Sequence, residues 1–295
     1  MTNQPKWYYY LLASPIYMLM LLPFPVLYFI SDILSFIAYH IVKYRRKVVA
    51  TNLKNAFPEK SNDEIKQIEK RYYKNMIDVF IETFKTLTIS ERKLVNRVKM
   101  KNTEFIKELH NNNKSVVLLL GHMGNWEWGG FSYTYQLGYP VGTLYHPLSN
   151  PFFEWLMFKL RSKCGVELIA MQQSARNFAV NKDKVRTVAF IADQSPQPTH
   201  AYWTNFLNQE TGFFTGAEKL AVKYNCAVVY VDIEKHGRGK YTVIFELIKE
   251  NLDEMKPNEI TQIFAEKLEN SIRLHPELWL WSHRRWKHKR PTSIA

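Results

Sequence analysis

A chain of 295 residues has room for one large α/β domain or two small ones with a full hydrophobic core. Its formal net charge of +13 points to an anionic partner, whether nucleic acid, an acidic membrane or a charged substrate, and 15% of its residues are aromatic. Its two cysteines, Cys164 and Cys226, stand far apart, which excludes a disulfide framework or a cysteine zinc site and fits reduced thiols facing the cytosol.

The chain begins with the aromatic cluster Trp7-Tyr8-Tyr9-Tyr10 and stays apolar to about Ile41, interrupted by Pro15, Pro23 and Pro25. Two segments are predicted, 8–22 and 26–42, broken at Pro23-Phe24-Pro25. The first is short against the roughly 20 apolar residues a full span needs. Lys43-Tyr44-Arg45-Arg46-Lys47 follows at once and would keep the rest of the chain on the cytoplasmic side. The reading favoured is a membrane-anchoring unit, 1–47, ahead of a second unit, 48–295. The competing readings are two buried core helices, which Asp32 and the prolines fit, and a signal peptide, for which the stretch is too long and too broken.

Residues 50–98 are basic and helical in pattern. Ser61-Asn62-Asp63-Glu64 is a helix start, and Ile65, Ile68, Tyr72, Met76, Val79 and Phe80 recur at helical spacing as core positions. A helix over 105–112 precedes the apolar run Val116-Val117-Leu118-Leu119-Leu120, which stops at Gly121 and reads as a buried strand. Asn125 stands near the N-cap of the helix that follows. Strands are predicted over 141–145, 166–170, 187–192, 227–234 and 241–247, and helices up to about 163, over 215–224 and over 258–274. The aromatic stretch Tyr202 to Phe214 would either line an apolar groove or pack in the core. Alternating strands and helices predict a three-layer αβα domain with a largely parallel sheet. Ligands in such sheets collect at the carboxyl ends of strands, where His122 and Asp193 both fall.

His122 leaves the central strand and Glu127 lies in the next helical turn. Five positions apart on one helix they would point about 140° apart, but a strand-to-helix turn can bring the carboxylate back onto the imidazole. A carboxylate on one ring nitrogen fixes the tautomer, and the other nitrogen can take a proton from an attacking hydroxyl. Backbone N–H groups of 121–125 at the helix start would meet an oxyanion. Arg161, at a helix end, either forks onto substrate phosphate or pairs with an acid. Asp193 either assists substrate placement or holds Arg161. Asn125 is a substrate contact or only a cap, and Arg284 and Arg285 in the basic, Trp-rich tail meet phosphates or headgroups, or are solvated. Neither a His-Glu-x-x-His metal motif nor a Gly-x-Ser-x-Gly nucleophile motif is present. No nucleic-acid-binding motif is present and the charge is spread, so nucleic acid is not the expected partner.

Taken in order, Arg46 through Asn52-Leu53 and Ala56-Phe57-Pro58, Gly121-His122-Met123-Gly124-Asn125-Trp126-Glu127, Tyr145-His146-Pro147-Leu148, Ala192-Asp193-Gln194, Thr215-Gly216 and Pro276 through His283-Arg284-Arg285 resemble the late acyltransferases of lipid A biosynthesis, within the glycerolipid acyltransferase superfamily. The resemblance runs over nearly the whole chain. It implies an enzyme on the cytoplasmic face of the inner membrane that moves a fatty acyl chain from acyl carrier protein, or less often coenzyme A, to a hydroxyl of an anionic glycolipid. It implies His122 as general base, Glu127 as its orienting carboxylate, no acyl-enzyme and no resident cofactor. Here His146 stands where the family has arginine, and the glycerol-3-phosphate branch's phosphate motif is absent. The alternatives are an acyltransferase for another acceptor, an amino-acid lipid or other glycolipid, and a basic membrane-binding protein without catalysis.

Overall fold

The proline-broken apolar start forms two helices that dock onto the body of the protein. The computed structural model describes residues 6–291, so the outer ends of the two expected units, 1–5 and 292–295, lie outside the described residues. Helix α1 (Trp7–Leu21) contains Pro15, and the carbonyls of Met20 in its last turn and of the capping Leu22 accept from the buried Lys85 ammonium. Helix α2 (Phe24–Phe36) starts with Pro25 in its first turn, where the missing N–H costs nothing. It runs into a π-helical turn, Ile37–Ile41. Together Phe24–Ile41 make 18 residues of mean hydropathy 1.5, the one described helix long and apolar enough to cross a membrane. Helix α3 (Arg46–Ala56) precedes the long α4 (Asn62–Lys85), whose start is a capping box: Glu64 N–H donates to Ser61 Oγ and Ser61 N–H to Glu64 Oε2 at 2.8 Å.

The α/β body follows as α5 (Glu91–Val95), β1 (Val98–Lys101), α6 (Glu104–Asn111), β2 (Val116–Leu120), α7 (Trp126–Leu137), β3 (Val141–Tyr145), α8 (Pro151–Lys163), β4 (Glu167–Ala170), α9 (Ser174–Val180), β5 (Thr187–Ile191), β6 (Ala201–Phe206), β7 (Gln209–Phe214), α10 (Gly216–Lys223), β8 (Ala227–Gly237), β9 (Lys240–Lys249) and α11 (Glu259–Leu274). The main sheet has the order β1-β9-β8-β2-β5-β3-β4 and is parallel except for the β8–β9 pair. β2 is buried on both faces, as its unbroken apolar run requires. Val117 and Leu119 join the core beneath α11, while Val116, Leu118 and Leu120 join the core beneath α7, the period of two expected of a strand.

The stretch Tyr202 to Phe214 takes the packing alternative as a hairpin, β6–β7: Phe206 and Phe213 are fully buried against Trp279 and Phe264. One expectation changes. Phe80, expected in the core, is 56% exposed.

Candidate active site

The site is built where the two central parallel strands end. β2 and β5 pair in register, Leu120 opposite Ile191, so the residues two positions beyond each strand, His122 and Asp193, leave the sheet side by side. The chain then turns sharply: Met123 N–H bonds back to the Gly121 carbonyl at 2.7 Å and Gly124 takes a left-handed φ of +53°, which a Cβ would strain. The C-terminal segment clamps this turn. Gly124 N–H donates to the Leu278 carbonyl at 3.1 Å, and Met123 bridges Trp279.

Asp193, 2% exposed, is the carboxylate on the histidine. His122 Nδ1 lies 2.6 Å from Asp193 Oδ1, and Asp193 Oδ2 accepts from His122 N–H at 2.9 Å and from Trp279 Nε1–H at 2.7 Å. Burial alone would push the pKa of this group up; the charge of His122 and these donors outweigh it and hold the carboxyl down at about 2. An ionised Asp193 keeps the proton on Nδ1 and leaves Nε2 as the free base. The ring stands edge-on to Trp126, with centroids 4.9 Å apart, and Nε2 has no protein partner among the described residues.

Glu127 is elsewhere. Its carboxylate takes a fork from Arg161, Nε to Oε2 at 3.1 Å and Nη2 to Oε1 at 2.5 Å, with both side chains mostly buried. The expectations that Glu127 orients His122 and that Asp193 holds Arg161 are therefore exchanged. Strand neighbours fix the His122 partner, and the first turn of α7 faces α8, which carries Arg161. Burial alone would weaken the hold of Arg161 on its proton, but Glu127 more than offsets this and raises it.

Three more expectations fall to hydrogen-bond bookkeeping. The N–H groups of 122, 123 and 124 are all spent on Asp193, Gly121 and Leu278, so this turn offers none of them to an oxyanion. Asn125 is 1% exposed with both amide ends used, Oδ1 accepting from Trp128 N–H and Nδ2 donating to Glu82 Oε2; it is a cap and not a substrate contact. Arg285 is 3% exposed, donates to the Gly212 carbonyl and lies over the Phe213 ring, so it meets neither headgroup nor phosphate. Arg284 is exposed beside it. Among the described residues no three His, Cys, Asp or Glu converge on a metal position. Cys164 is buried, and burial raises its thiol, the opposite of what a nucleophile needs.

His122, Trp126, Glu127 and Arg161 open onto a cavity of about 960 Å³ that runs between α7 and the sheet, past Ile233, Val243 and Phe245. This is the upper end of the roughly 300–1,000 Å³ of small-molecule sites. Tyr44, Phe80, Leu148 and Phe153, each more than a third exposed, also line the cavity. Arg161 is the single Lys or Arg on its wall among the described residues, and His146 also lines it.

The sequence reading gave no role to Trp279 or His283. His283 accepts from Ser195 N–H at 3.3 Å, while the Ser195 hydroxyl bonds the Arg285 carbonyl at 2.6 Å. Burial, and then Arg285 and His122 against the opposing pull of Asp193, lowers His283 from 6.5 to about 4. Neutral in the fold yet basic when unfolded, it stabilises fully above pH 6.5 and loses that contribution as pH falls towards 4. Discounted for its partial exposure, this is on the order of 1 kcal/mol. Melting curves from pH 7 to 4.5 should fall less steeply for His283→Gln than for the wild type; equal slopes would refute it.

A family model for bacterial lipid A biosynthesis acyltransferases matches residues 3–288. The chain is 25% identical to the lipid A biosynthesis lauroyltransferase of Escherichia coli K12, covering 100% of this chain and 99% of that one. It is 22% identical to a lipid A biosynthesis acyltransferase of Haemophilus influenzae over 82% of this chain and 76% of the relative. It is 23% identical to the lipid A biosynthesis palmitoleoyltransferase of E. coli K12 over 90% and 86%. A histidine–aspartate pair at the mouth of an apolar cavity, on a chain that matches this family from residue 3 to residue 288, makes the protein an acyltransferase of the bacterial lipid A biosynthesis family.

Proposed function

We propose that the protein transfers a fatty acyl chain from an acyl thioester to a hydroxyl of an anionic lipid A precursor, at the cytoplasmic face of the inner membrane. The observation that carries this is the His122–Asp193 pair opening on the apolar cavity. The hydroxyl oxygen attacks the thioester carbonyl while His122 Nε2 takes its proton. Asp193 stabilises the imidazolium. The tetrahedral intermediate expels the thiolate, which takes the proton back from His122, leaving an ester and a free thiol. Arg161, kept charged and aligned by Glu127, sets a fixed positive charge on the cavity wall against the developing oxyanion. No residue is acylated.

Acyl carrier protein is the expected donor and coenzyme A the lesser one; no resident cofactor is needed. Arg284, Lys287, Lys289 and Arg290 form an exposed basic run past the site, suited to an acidic carrier or a lipid phosphate. Membrane attachment is supported by the outward residues Leu11, Met18 and Leu21 of α1 and Phe29, Phe36 and Ile41 of α2 and its last turn. α1 packs against α8 through Tyr9 and Trp155, and α2 against α4, so this surface adjoins Phe80 and Phe153 on the cavity lining. The test offers both thioesters and a lipid A precursor to the detergent-solubilised protein and reads the product by mass. Acylated precursor from the wild type and none from His122→Ala supports the reading. A folded, membrane-bound wild type that makes none moves the reaction to another acceptor.

A further inference from the structure

Helix α4 carries two buried carboxylates one turn apart, Asp78 and Glu82, and they are held differently. Asp78 is an ion-pair centre, with Arg238 Nε at 2.9 Å, Lys235 Nζ at 3.4 Å and Ser31 Oγ at 2.7 Å. Glu82 is fully buried and takes its side-chain bonds from three neutral donors: Tyr28 hydroxyl to Oε1 at 2.9 Å, and Tyr241 hydroxyl at 2.7 Å and Asn125 Nδ2 at 2.9 Å to Oε2. Its main-chain carbonyl accepts from Trp128 Nε1–H at 2.9 Å. It lies off the cavity wall, so nothing that enters the cavity touches it.

The three donors come from three places that matter to one another. Tyr28 is on α2, Tyr241 is on β9, and Asn125 is the N-cap of α7, three residues past His122. An asparagine amide can sit either way round. Trp128 N–H can only donate, so it holds Oδ1 and turns Nδ2 towards Glu82 Oε2.

We propose that Glu82 is a positioning residue that couples the docking of α2 onto the body to the geometry of the His122 turn. This rests on the reading of His122 as the base. A docked α2 supplies the Tyr28 donor, Glu82 then sits square to Asn125, and the start of α7 and the turn before it are fixed. Leaving either Glu82 oxygen or the Asn125 amide unpaired in this buried place is unfavourable enough to let the turn move.

The test exchanges the two polar ends. Asn125→Asp sets a second carboxylate against Glu82 and should lower kcat about 30-fold, with the KM for the thioester changed less than about twofold. In the double variant Glu82→Gln/Asn125→Asp, the new amide nitrogen donates to the new carboxylate, whose other oxygen still caps Trp128 N–H, and kcat should return to within about threefold of wild type. Tyr28→Phe deletes one hydroxyl on α2 and should lower kcat about fivefold, again at constant KM. Each variant is assayed well below its own melting temperature, since lost packing alone would not be repaired by the exchange. A double variant no better than Asn125→Asp, or a Tyr28→Phe enzyme with wild-type kcat, overturns the proposal; the latter decides it should Asn125→Asp not fold. His122→Ala run beside them separates the two failures: if it retains full activity, the base reading falls and not the coupling alone.

Discussion

Asp193→Asn is expected to lower kcat about a thousandfold to ten-thousandfold, as far as His122→Ala, with little change in the KM for the thioester. The two donors on Asp193 Oδ2, His122 N–H and Trp279 Nε1–H, decide this. Both donate and can bond only to an oxygen, so the amide of the variant must turn its NH2 towards His122 Nδ1. That nitrogen then becomes the acceptor, the ring proton moves to Nε2, and the base is gone although nothing else has moved. Asp193→Ala would remove the buried carboxylate and strand the Trp279 and His122 donors, so its loss would mix stability with chemistry. Glu127→Ala behaves differently. It leaves Arg161 mostly buried without a partner, at a cost of about 2–3 kcal/mol after allowance for their residual exposure. Arg161→Ala added to Glu127→Ala should therefore cost little more than either alone, while His122→Ala and Glu127→Ala should combine as separate losses. Steady-state kinetics and melting curves on these variants check both claims. An Asp193→Asn enzyme within tenfold of wild type, with Glu127→Ala inactive, would return the orienting role to Glu127.

The exchange between Asp193 and Glu127 marks where sequence stops informing. The fold was legible because its two central strands, β2 and β5, are short apolar runs that stop just before Gly121 and Ala192-Asp193, and its helices carry their caps: Ser61 with Glu64, Asn125, and the proline at the start of α8. The placement of His122 and Asp193 at strand ends was legible for the same reason. Their pairing was not, because strand order is a long-range property: β2 and β5 are neighbours although two strands, β3 and β4, intervene in the chain. Sequence proximity instead favoured Glu127, five residues from His122. The hairpin β6–β7 was missed as strands because its alternation is masked by aromatics on both faces, Tyr202, Phe206 and Phe213 on one and Trp203 and Phe214 on the other. Glu82 left a trace that could have been used. It falls three residues after Val79 on the buried stripe of α4, and a carboxylate at an apolar position signals a buried network. The N-terminal segment was read as an anchor, and its polar seam, Tyr28, Ser31 and Asp32 turned towards Glu82, Asp78 and Arg238, emerged only from packing.

Gly130→Leu should shorten the acyl chain the enzyme prefers and raise its melting temperature together. Gly130 is in the second turn of α7 on the cavity wall, and a Cβ built there meets nothing within 4 Å. A leucine would project into the cavity rather than into protein. Relieving a helical glycine is worth about 1 kcal/mol of stability. Each methylene excluded from an apolar site costs about 0.8 kcal/mol, so displacing three or four of them disfavours the longest accepted chain about a hundredfold against one that still fits. Gly129→Ala is the comparison: Gly129 also lines the cavity, but its Cβ would rest in ordinary contact 3.5 Å from Ile233 Cδ1 and Val243 Cγ2, so the single methyl should shift the length profile far less. Competition between thioesters of graded length, read by product mass, measures the shift. An unchanged length profile in a stabler Gly130→Leu enzyme would assign this part of the cavity to the acceptor lipid's own chains. The length limit would then be set nearer Phe80 and Phe153, where the cavity meets the exposed apolar surface of α1 and α2.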